Sequence, residues 1–400
     1  MEEWKEYQLK DATTVLGDGL HGTPKYDENG TVFFINGNNL VDGKIEIKES
    51  TKRVSEDEAN KYKKNLNSRT ILVSINGTIG NVAKYQGEAC ILGKSACYFN
   101  VSEDFDLNFI YYVVASKQFK NSITHLSTGT TIKNVSLETM RNYSFAAPSI
   151  NEQKRIAELL SSLDDKIELN RRINDNLEQQ AQALFKSWFV DFEPFRGEKF
   201  VESEFGMIPK GWYIGSIYEQ IDVVYGAPYS SSLFNESNNG LPLIRIRDLK
   251  TYSPQVYTTE ILPNTEYIAT GDVVAGMDAE FIPTIWLGET GILNQRCCKF
   301  IARDAMVSNY YVLHLIKPEL EFVQSYKTGT TVSHLGKCDI DKFRIIVPPN
   351  NVVIKFSKLV NALFREKVRI ASESRNLTTL RNSLLPKLMS GELNINNLNC

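Results

Sequence analysis

The most regular hydrophobic pattern of the chain lies in residues 151–192 and predicts a long helix that needs a helical partner. Apolar residues recur there in alternating steps of four and three, which is the heptad spacing of a coiled coil. The seam positions are Ile156, Leu160, Leu163, Ile167, Asn170, Asn174, Leu177, Ala181, Leu184 and Trp188. Such a seam is about 48 Å long at roughly 1.5 Å per residue. One small domain cannot bury that length, so a second long helix is expected.

A second seam in the same phase lies 200 residues later in the chain. It consists of Phe356, Val360, Leu363, Lys367, Ile370, Ser374, Leu377, Arg381, Leu384 and Leu388. The same offset relates the segment STGTTI at residues 127–132 to KTGTTV at residues 327–332, and Pro148 to Pro348. A constant offset at low sequence identity is what a duplication leaves behind. We therefore predict two copies of one unit, each a globular part followed by a long helix.

Shorter patterns predict that the globular parts are mixed α/β domains with mainly antiparallel strands. β-branched runs at residues 31–35 and 70–75 end at Asn-Gly pairs, which is typical of strands closed by turns. Residues 106–120 have helical apolar spacing, and residues 141–147 predict a last strand stopped by Pro148. In the second half, Trp212 echoes Trp4, and residues 244–249, 271–274 and 292–300 echo residues 35–40, 71–74 and 91–99 at drifting offsets.

The predicted fold class is α+β, with two similar mixed α/β domains separated by two long antiparallel coiled-coil helices under a pseudo-two-fold internal repeat. The predicted segments are a first globular domain at residues 1–148, a first helix at 149–195, a second domain at 196–349, a second helix at 350–390 and a tail at 391–400.

Local signals predict where the two helices begin and end. Ser149 or Asn151 is placed to cap the first helix, and Gln153 to complete a capping box with that residue. The second helix is predicted for residues 352–385, because Pro386 should break it. The Asn-rich residues after it are expected to be loosely ordered.

An aromatic cluster ends the first helix and has two interpretations. Its members are Phe185, Trp188, Phe189 and Phe192. They either pack onto the neighbouring domain or form a surface that binds a partner protein.

Composition and charge add little about partners. The 45 Lys and Arg residues are balanced by 48 Asp and Glu, a formal net charge of −3, so nucleic-acid binding needs a local basic surface. The charged first residues do not fit a signal peptide, and no run reaches the ~18 apolar residues of a membrane span. A cytoplasmic protein without membrane contact is expected. The six cysteines form no C-x-x-C pair, which argues against a metal site.

Polar residues inside the seams are candidates for setting the register of the two helices. Antiparallel pairing about the seam centres places Asn170 opposite Ser374 and Asn174 opposite Ile370. Buried polar residues in a seam lower stability but specify register, so Asn170, Asn174 and Ser374 are the candidates. The alternative is that both asparagines are half-exposed.

Two similar domains held apart by a rigid pair of helices suit a bipartite target such as DNA. DNA half-sites one helical turn apart lie on one face at about 34 to 36 Å. Arginine pairs with guanine O6 and N7, and asparagine with adenine N6 and N7. The candidate DNA contacts are Asn36, Asn38, Asn39, Lys94, Thr130, Thr131, Lys133, Arg245, Arg247, Arg296, Thr330 and Thr331. Such residues are also common in ordinary surface turns.

The segment TGTTIKN at residues 128–134, followed by Pro148, Glu152, Gln153 and Ile156 and by the aromatic ending, resembles type I restriction–modification specificity (S) subunits. It is similar to the end of their target recognition domain and to their central conserved region, and the duplicated layout extends the resemblance over the whole chain. The second copy departs from the pattern, since Asn350 and Asn351 stand in the region of the expected Glu-Gln pair.

The resemblance implies a non-catalytic subunit that gives a type I complex its DNA specificity. Each target recognition domain would recognise one half of a bipartite site in double-stranded DNA, and the helices would set the spacing and dock two modification subunits. Those partners would use S-adenosylmethionine to methylate adenine at N6. Restriction subunits, of which a complex would hold two, would use ATP and Mg²⁺. The resemblance implies no catalytic residue and no cofactor or metal in this chain.

From the residues alone, two other classes stay open. One is a coiled-coil scaffold with two protein- or glycan-binding modules. The other is a nuclease built on Asp42, Glu46 and Lys48. The sequence has neither the Asn/Asp-Pro-Pro-aromatic loop of an amino-methyltransferase nor the Gly-rich loop followed by Lys-Ser/Thr of an ATPase.

Overall fold

The chain divides into two compact units, which we describe separately. A computed structural model describes residues 4–128, 133–327 and 333–395. Unit 1 comprises Met1–Asp165 and Thr378–Cys400, and unit 2 comprises Lys166–Leu377. Each unit therefore holds one globular domain together with a segment of both long helices. Among the described residues, no helix is both long and apolar enough to cross a membrane.

Unit 1 is built on a four-stranded antiparallel sheet in the order β2-β10-β7-β8. Its strands are β1 (Lys5–Gln8), β2 (Thr13–Asp18), β3 (Val32–Ile35), β4 (Leu40–Val41), β5 (Lys44–Ile45), β6 (Arg53–Val54), β7 (Thr70–Ser74), β8 (Val82–Lys84), β9 (Cys90–Leu92), β10 (Ala96–Val101) and β11 (Ser144–Ala147). Its helices, before the long ones, are α1 (Glu56–Tyr62), α2 (Leu107–Ala115), α3 (Lys117–His125) and α4 (Leu137–Arg141). All residues of β7 are buried, as its β-branched sequence predicts for a strand with neighbours on both sides.

Smaller sheets complete unit 1. Strand β3 pairs in parallel with β9 and antiparallel with β6. Strand β1 pairs antiparallel with β11, so that the start of the chain lies beside the strand that leads into the first long helix, α5 (Ile150–Phe189).

Unit 2 repeats the main four-stranded sheet and the parallel strand pair of unit 1 and adds strands of its own. Its strands are β12 (Phe200–Ser203), β13 (Gly206–Pro209), β14 (Tyr213–Ser216), β15 (Ile221–Tyr225), β16 (Phe234–Asn235), β17 (Leu241–Ile244), β18 (Tyr257–Thr258), β19 (Tyr267–Ile268), β20 (Val273–Gly276), β21 (Thr284–Ile285), β22 (Gly291–Leu293), β23 (Cys297–Ala302) and β24 (Arg344–Val347). Its helices are α6 (Asn309–Lys327), α7 (Lys337–Ile340) and parts of the long helices α5 and α8 (Asn350–Met389).

The pairing of these strands confirms the predicted duplication. The order β15-β23-β20-β21 corresponds to β2-β10-β7-β8, and β14 pairs with β24 as β1 pairs with β11. Strand β17 has a parallel neighbour, β22, and an antiparallel neighbour, β18, as β3 has β9 and β6. The predicted α+β class with an internal repeat is therefore correct.

Two local predictions need correction. Residues 106–120 do not form one helix, because Ser116 is extended and its hydroxyl accepts a hydrogen bond from the Phe119 N–H, which caps a new helix, α3. Pro386 does not break the last helix: α8 continues to Met389, because the burial of Leu388 in the core of unit 1 offsets the backbone hydrogen bond that the proline forfeits. Gln153, predicted to complete a capping box, is buried; it donates to the Pro148 carbonyl and accepts from the Asp106 N–H.

The described part of the C-terminal tail is not loosely ordered. Leu393 packs against the core of unit 1, and Ile395 is buried in it. Apolar side chains outside the heptad pattern thus hold this segment in place.

The long helices, each of 40 residues, run antiparallel within both units. In unit 1 the Arg381 guanidinium lies 2.6 Å from the Asp164 carboxylate. In unit 2 the Lys367 ammonium lies 2.6 Å from Glu178, and Lys166 pairs with Glu373 at 3.4 Å. The residue numbers of the paired positions increase along α5 and decrease along α8. The two helices are therefore antiparallel. Arg381 and Lys367 are the two cationic positions of the predicted seam, and a carboxylate on α5 meets each of them.

The same two carboxylates also contact the globular domain of their unit. The Tyr112 hydroxyl of α2 donates to Asp164 at 2.7 Å. The His314 Nε2 of α6 lies 3.6 Å from a Glu178 oxygen. Each domain is thereby attached to the helix pair of its own unit by a polar contact as well as by apolar packing.

His314 generates a prediction about the pH dependence of stability. It is buried beside the rings of Phe185 and Tyr310, and desolvation lowers its pKa from 6.5 to about 4, against an opposing effect of Glu178. The unfolded chain therefore binds a proton more readily than the folded one. The contribution of neutral His314 to stability is complete above its pKa in the unfolded chain. It is lost as the pH falls through its pKa in the folded protein. Because of His314, we expect the free energy of unfolding to decrease by roughly 2 to 3 kcal/mol when the pH is lowered from 7 to 4.

Denaturant titrations of the wild type and of His314→Gln at both pH values measure this effect. The unfolding free energy of the wild type minus that of the variant should decrease at low pH, because only the wild type has the titrating group. His21, whose side chain is 60% exposed, gives the matched control His21→Gln. A difference for His314→Gln that stays constant with pH would contradict the prediction.

Candidate nucleic-acid interface

Four turns of unit 1 are hydrogen-bonded together at one edge of its sheets. The Ser95 hydroxyl accepts from the Gly37 N–H at 2.9 Å and donates to Asn36 Oδ1 at 3.0 Å. The Ser95 carbonyl accepts from the Ile75 N–H, and the Ile75 carbonyl accepts from the Val135 N–H. We call the residues of these turns, 36–39, 75–77, 93–95 and 133–135, the loop edge of unit 1.

Unit 2 has the same backbone bonds at residues 245–248, 277–279, 294–296 and 333–335, which form its loop edge. The Arg296 carbonyl accepts from the Met277 N–H, as Ser95 does from Ile75. The Met277 carbonyl accepts from the Leu335 N–H, as Ile75 does from Val135.

The turns after β7 and β20 match in conformation as well. The Gly77 N–H donates to the Lys133 carbonyl, and the Ala279 N–H to the Ser333 carbonyl. Both donors have positive φ, +71° at Gly77 and +63° at Ala279. The left-handed conformation suits glycine and is strained for alanine, so the structure keeps this turn in unit 2 despite its cost.

The sequence candidates of unit 1 fall into two groups. Asn38, Lys94 and Lys133 are exposed on the loop edge and stay candidates for DNA contact. Asn39 is buried, where its amide donates to the Glu46 carbonyl and the Thr51 hydroxyl, both at 3.0 Å, and its oxygen accepts from the Asn36 N–H. Asn39 therefore holds the turn together and is not available to DNA, which corrects that candidate.

Asn36 is also committed within the protein. It is half-buried, and its Oδ1 accepts the Ser95 hydroxyl. Its role is to join two turns of the loop edge.

Unit 2 places an ion pair where unit 1 has two asparagines. Arg245 and Asp248 occupy the positions of Asn36 and Asn39, and the Arg245 N–H donates to the Asp248 carboxylate at 2.9 Å. Asp248 is buried, and desolvation raises its pKa even though Arg245 hydrogen-bonds to it. The Arg245 guanidinium is turned toward Asp248 at 3.8 Å and is only 21% exposed, so it is mainly structural. Arg247 and Arg296 are exposed.

Two pairs of polar residues that bridge turns on the loop edges were not predicted from the sequence. In unit 1, Asn76 and Asn134 form an isolated β-bridge, and Asn76 Nδ2 donates to Asn134 Oδ1 at 3.3 Å. In unit 2, Asp278 and His334 form the equivalent bridge, and the His334 Nδ1 lies 2.6 Å from Asp278 Oδ1. The constant offset of 200 residues between Asn134 and His334 was an available signal; their partners are distant in sequence and gave none.

The four threonine candidates lie outside the described residues. These are Thr130, Thr131, Thr330 and Thr331.

The nuclease alternative gains no support from its residues. The Lys48 ammonium donates to the Asn38 carbonyl and pairs with Glu46 at 3.5 Å. Within the described ranges no group of three His, Cys, Asp or Glu side chains is placed to hold a metal ion.

The aromatic cluster at the end of α5 packs within unit 2. Trp188 and Phe189 are buried in its core, and Phe185 and Phe192 are partly buried against it. Their neighbours include Phe356, 4.9 Å from Phe189 between ring centroids, and Trp212, 5.5 Å from Phe192. The burial of Trp188 and Phe189 favours internal packing for these two residues, whereas Phe185 and Phe192 are only partly buried and stay candidates for partner binding.

The register candidates differ in burial. Asn170 is fully buried, and neither polar atom of its amide has a hydrogen-bond partner among the described residues. Asn174 is half-buried. The Ser374 hydroxyl donates to the Ile370 carbonyl on its own helix. The Oδ1 atom of Asn174 is also buried without a hydrogen-bond partner among the described residues. Buried polar atoms without partners cost stability, so Asn170 and, to a smaller extent, Asn174 carry the penalty expected of register determinants.

The two domains share one topology, and each has a loop edge with its own polar side chains. This is the arrangement of a protein with two related recognition domains. The family model that matches is the type I restriction modification DNA specificity domain, over residues 1–179 and 209–370. The chain belongs to this family. It is accordingly a specificity subunit and not a catalytic one.

Individual relatives agree with this assignment. The chain is 28% identical to the type I restriction enzyme MjaIX specificity subunit of Methanocaldococcus jannaschii, over 82% of this chain and 78% of that protein. It is 23% identical to the type I restriction enzyme HindI specificity subunit of Haemophilus influenzae, over 98% and 100%. The fold is similar to the crystal structure of a type I restriction–modification S subunit from M. genitalium, with a TM-score of 0.55, 17% identity and coverage of 97% and 96%.

Adjacent asparagines test the division of the loop edge into structural and exposed residues. Asn39→Ala removes three hydrogen bonds of a buried turn and should lower the unfolding free energy by roughly 1 to 3 kcal/mol. Asn38→Ala removes an exposed side chain and should change it by less than about 0.5 kcal/mol. Denaturant titration measures both values. Equal losses of stability in the two variants would show that the division is wrong.

Proposed function

We propose that the loop edge of each unit recognises one half of a bipartite site in double-stranded DNA. One observation carries this proposal: the same backbone hydrogen bonds occur at both loop edges, while the side chains on them differ. Unit 1 presents Asn38, Lys94 and Lys133, whereas unit 2 presents Arg247 and Arg296. Lysine and arginine suit phosphate oxygens, and asparagine and arginine suit base edges, so each edge can combine positioning and base recognition.

The chain acts within a larger complex, in which other subunits perform the chemistry. We propose that it binds two modification subunits, which use S-adenosylmethionine to methylate adenine at N6 in the site that this chain selects. Two restriction subunits, using ATP and Mg²⁺, complete the form of the complex that cleaves DNA. The family assignment and the similarity to complete specificity subunits support this proposal.

Methylation assays on reconstituted complexes test the proposed specificity. The chain is combined with modification subunits and S-adenosylmethionine and is given DNA of random sequence. Modification-sensitive sequencing should find methylated adenine in a single split motif. Modification subunits without the chain are the control and should produce no such motif. A split motif that appears equally without the chain would overturn the assignment.

The two long helices are proposed to set the number of base pairs between the half-sites. Removing one heptad from both helices, residues 170–176 and 370–376, shortens each by about 10 Å. This corresponds to roughly 3 base pairs at ~3.4 Å each. Sequencing of methylated DNA should therefore return the same two half-sites with a shorter spacer.

Deleting the heptad from one helix alone is the matched control. It shifts the apolar seam against its partner and should reduce the yield of folded protein. A fully active double deletion with an unchanged spacer would contradict the role of the helices.

A further inference from the structure

At equivalent positions of the two loop edges, unit 1 has neutral side chains and unit 2 has ionisable ones. Asn76 and Asn134 in unit 1 correspond to Asp278 and His334 in unit 2, since the neighbouring residues make the same backbone bonds. Ser95, which follows Lys94, corresponds in the same way to Arg296. An amide pair beside a serine is thus replaced by a carboxylate and an imidazole beside an arginine.

In unit 2 these three side chains form a chain of contacts. The His334 Nδ1 lies 2.6 Å from one oxygen of Asp278, and the Arg296 Nε lies 3.3 Å from the other. The Asp278 side chain is 22% exposed, whereas Arg296 is 54% and His334 is 50% exposed. The carboxylate therefore lies below the surface and holds two larger, more exposed side chains.

This arrangement orients an arginine for a planar acceptor pair. With Nε directed at Asp278, the terminal nitrogens of Arg296 are left at the exposed end of the guanidinium. Their N–H groups form a rigid fork that matches guanine O6 and N7. An arginine already held by a carboxylate loses less side-chain entropy on binding than a free one.

The amide pair of unit 1 presents a different pattern. The bond from Asn76 Nδ2 to Asn134 Oδ1 leaves the Asn76 oxygen as an acceptor and the Asn134 Nδ2 as a donor. An acceptor next to a donor matches adenine, which offers an N6 donor and an N7 acceptor in the major groove. Two loop edges with one backbone arrangement thus carry side chains suited to different bases.

From these contacts we infer that Asp278, His334 and Arg296 in unit 2, and Asn76 with Asn134 in unit 1, determine one base pair of each half-site. Arg296 contacts guanine in the half-site of unit 2. Asp278 and His334 are positioning residues that orient it. The inference rests on the proposed recognition of DNA by the loop edges.

The first test replaces Arg296 in the complete complex. Arg296→Ala should reduce methylation of the wild-type motif by roughly 10- to 100-fold and relax the preference for guanine at one position of one half-site. The other half-site is recognised by unit 1 and should keep its sequence, which also shows that the variant folds and assembles.

Arg303 provides the matched control. It is a second exposed arginine of unit 2, 56% exposed, whose Nε lies 3.1 Å from Asp222. It follows the far end of β23, the strand that Arg296 precedes. Arg303→Ala should leave every position of the motif unchanged.

A chemical substitution in the DNA identifies the contacted atom. Duplexes with 7-deazaguanine at each guanine of the unit 2 half-site lack the N7 acceptor. One of these replacements should weaken binding by the wild-type complex about 10-fold and should add no further loss to Arg296→Ala. The positioning role predicts that Asp278→Asn relaxes the same position, and that Asp278→Glu restores part of the preference.

The results separate this inference from the proposed function. If the wild-type complex yields no motif that depends on the chain, the proposed function fails. If the wild type yields a split motif but Arg296→Ala and Arg303→Ala give the same motif and the same methylated fraction, the inference fails alone. Equal losses in both variants would also overturn it, because any exposed arginine would then serve.

Discussion

A 40-residue helix with an apolar seam must be covered along its length, and this requirement organises the chain. In both units a segment of α5 is covered by a segment of α8, so neither copy of the duplicated unit buries its helix alone. Each charged residue of the seam forms an ion pair with the other long helix. Arg381 and Lys367 occupy seam positions, and each lies 2.6 Å from a carboxylate of α5. Removing one partner would leave a partly buried charge uncompensated, which costs more than the pair itself contributes.

The same carboxylates explain how a domain is attached to its helices. Asp164 accepts from Tyr112 of α2 and from Arg381 of α8, and Glu178 lies beside His314 of α6 and Lys367 of α8. In each unit one acidic residue therefore contacts both the globular domain and the second long helix. Apolar packing contributes to the attachment as well, since Trp188 and Phe189 of α5 are buried in the core of unit 2, whereas the directional polar contacts restrict the geometry.

The loop edges show how the fold separates stability from specificity. Their turns are joined by backbone N–H and carbonyl groups, which are the same whatever side chain the residue carries. Ser95 in unit 1 and Arg296 in unit 2 accept equivalent backbone bonds and yet present unrelated side chains. Residues that support the turns with their own side chains, such as Asn39 and Asp248, are buried and less free to change. Substitution of exposed residues at the loop edge therefore leaves the fold intact.

The sequence alone determined the long helices, their antiparallel pairing and the duplication, because heptad spacing and a constant offset are local or periodic signals that appear directly in the order of residues. It also placed the strands, whose β-branched runs end at turn residues. It did not separate Asn38 from Asn39, since burial depends on which side of a turn faces the other loops. Nor did it find Asn76 with Asn134, or Asp278 with His334, because only tertiary folding brings such distant residues within hydrogen-bond distance. The continuation of α8 through Pro386 and the internal packing of Trp188 and Phe189 were likewise decided by tertiary contacts, which outweigh a local preference whenever they bury enough apolar surface.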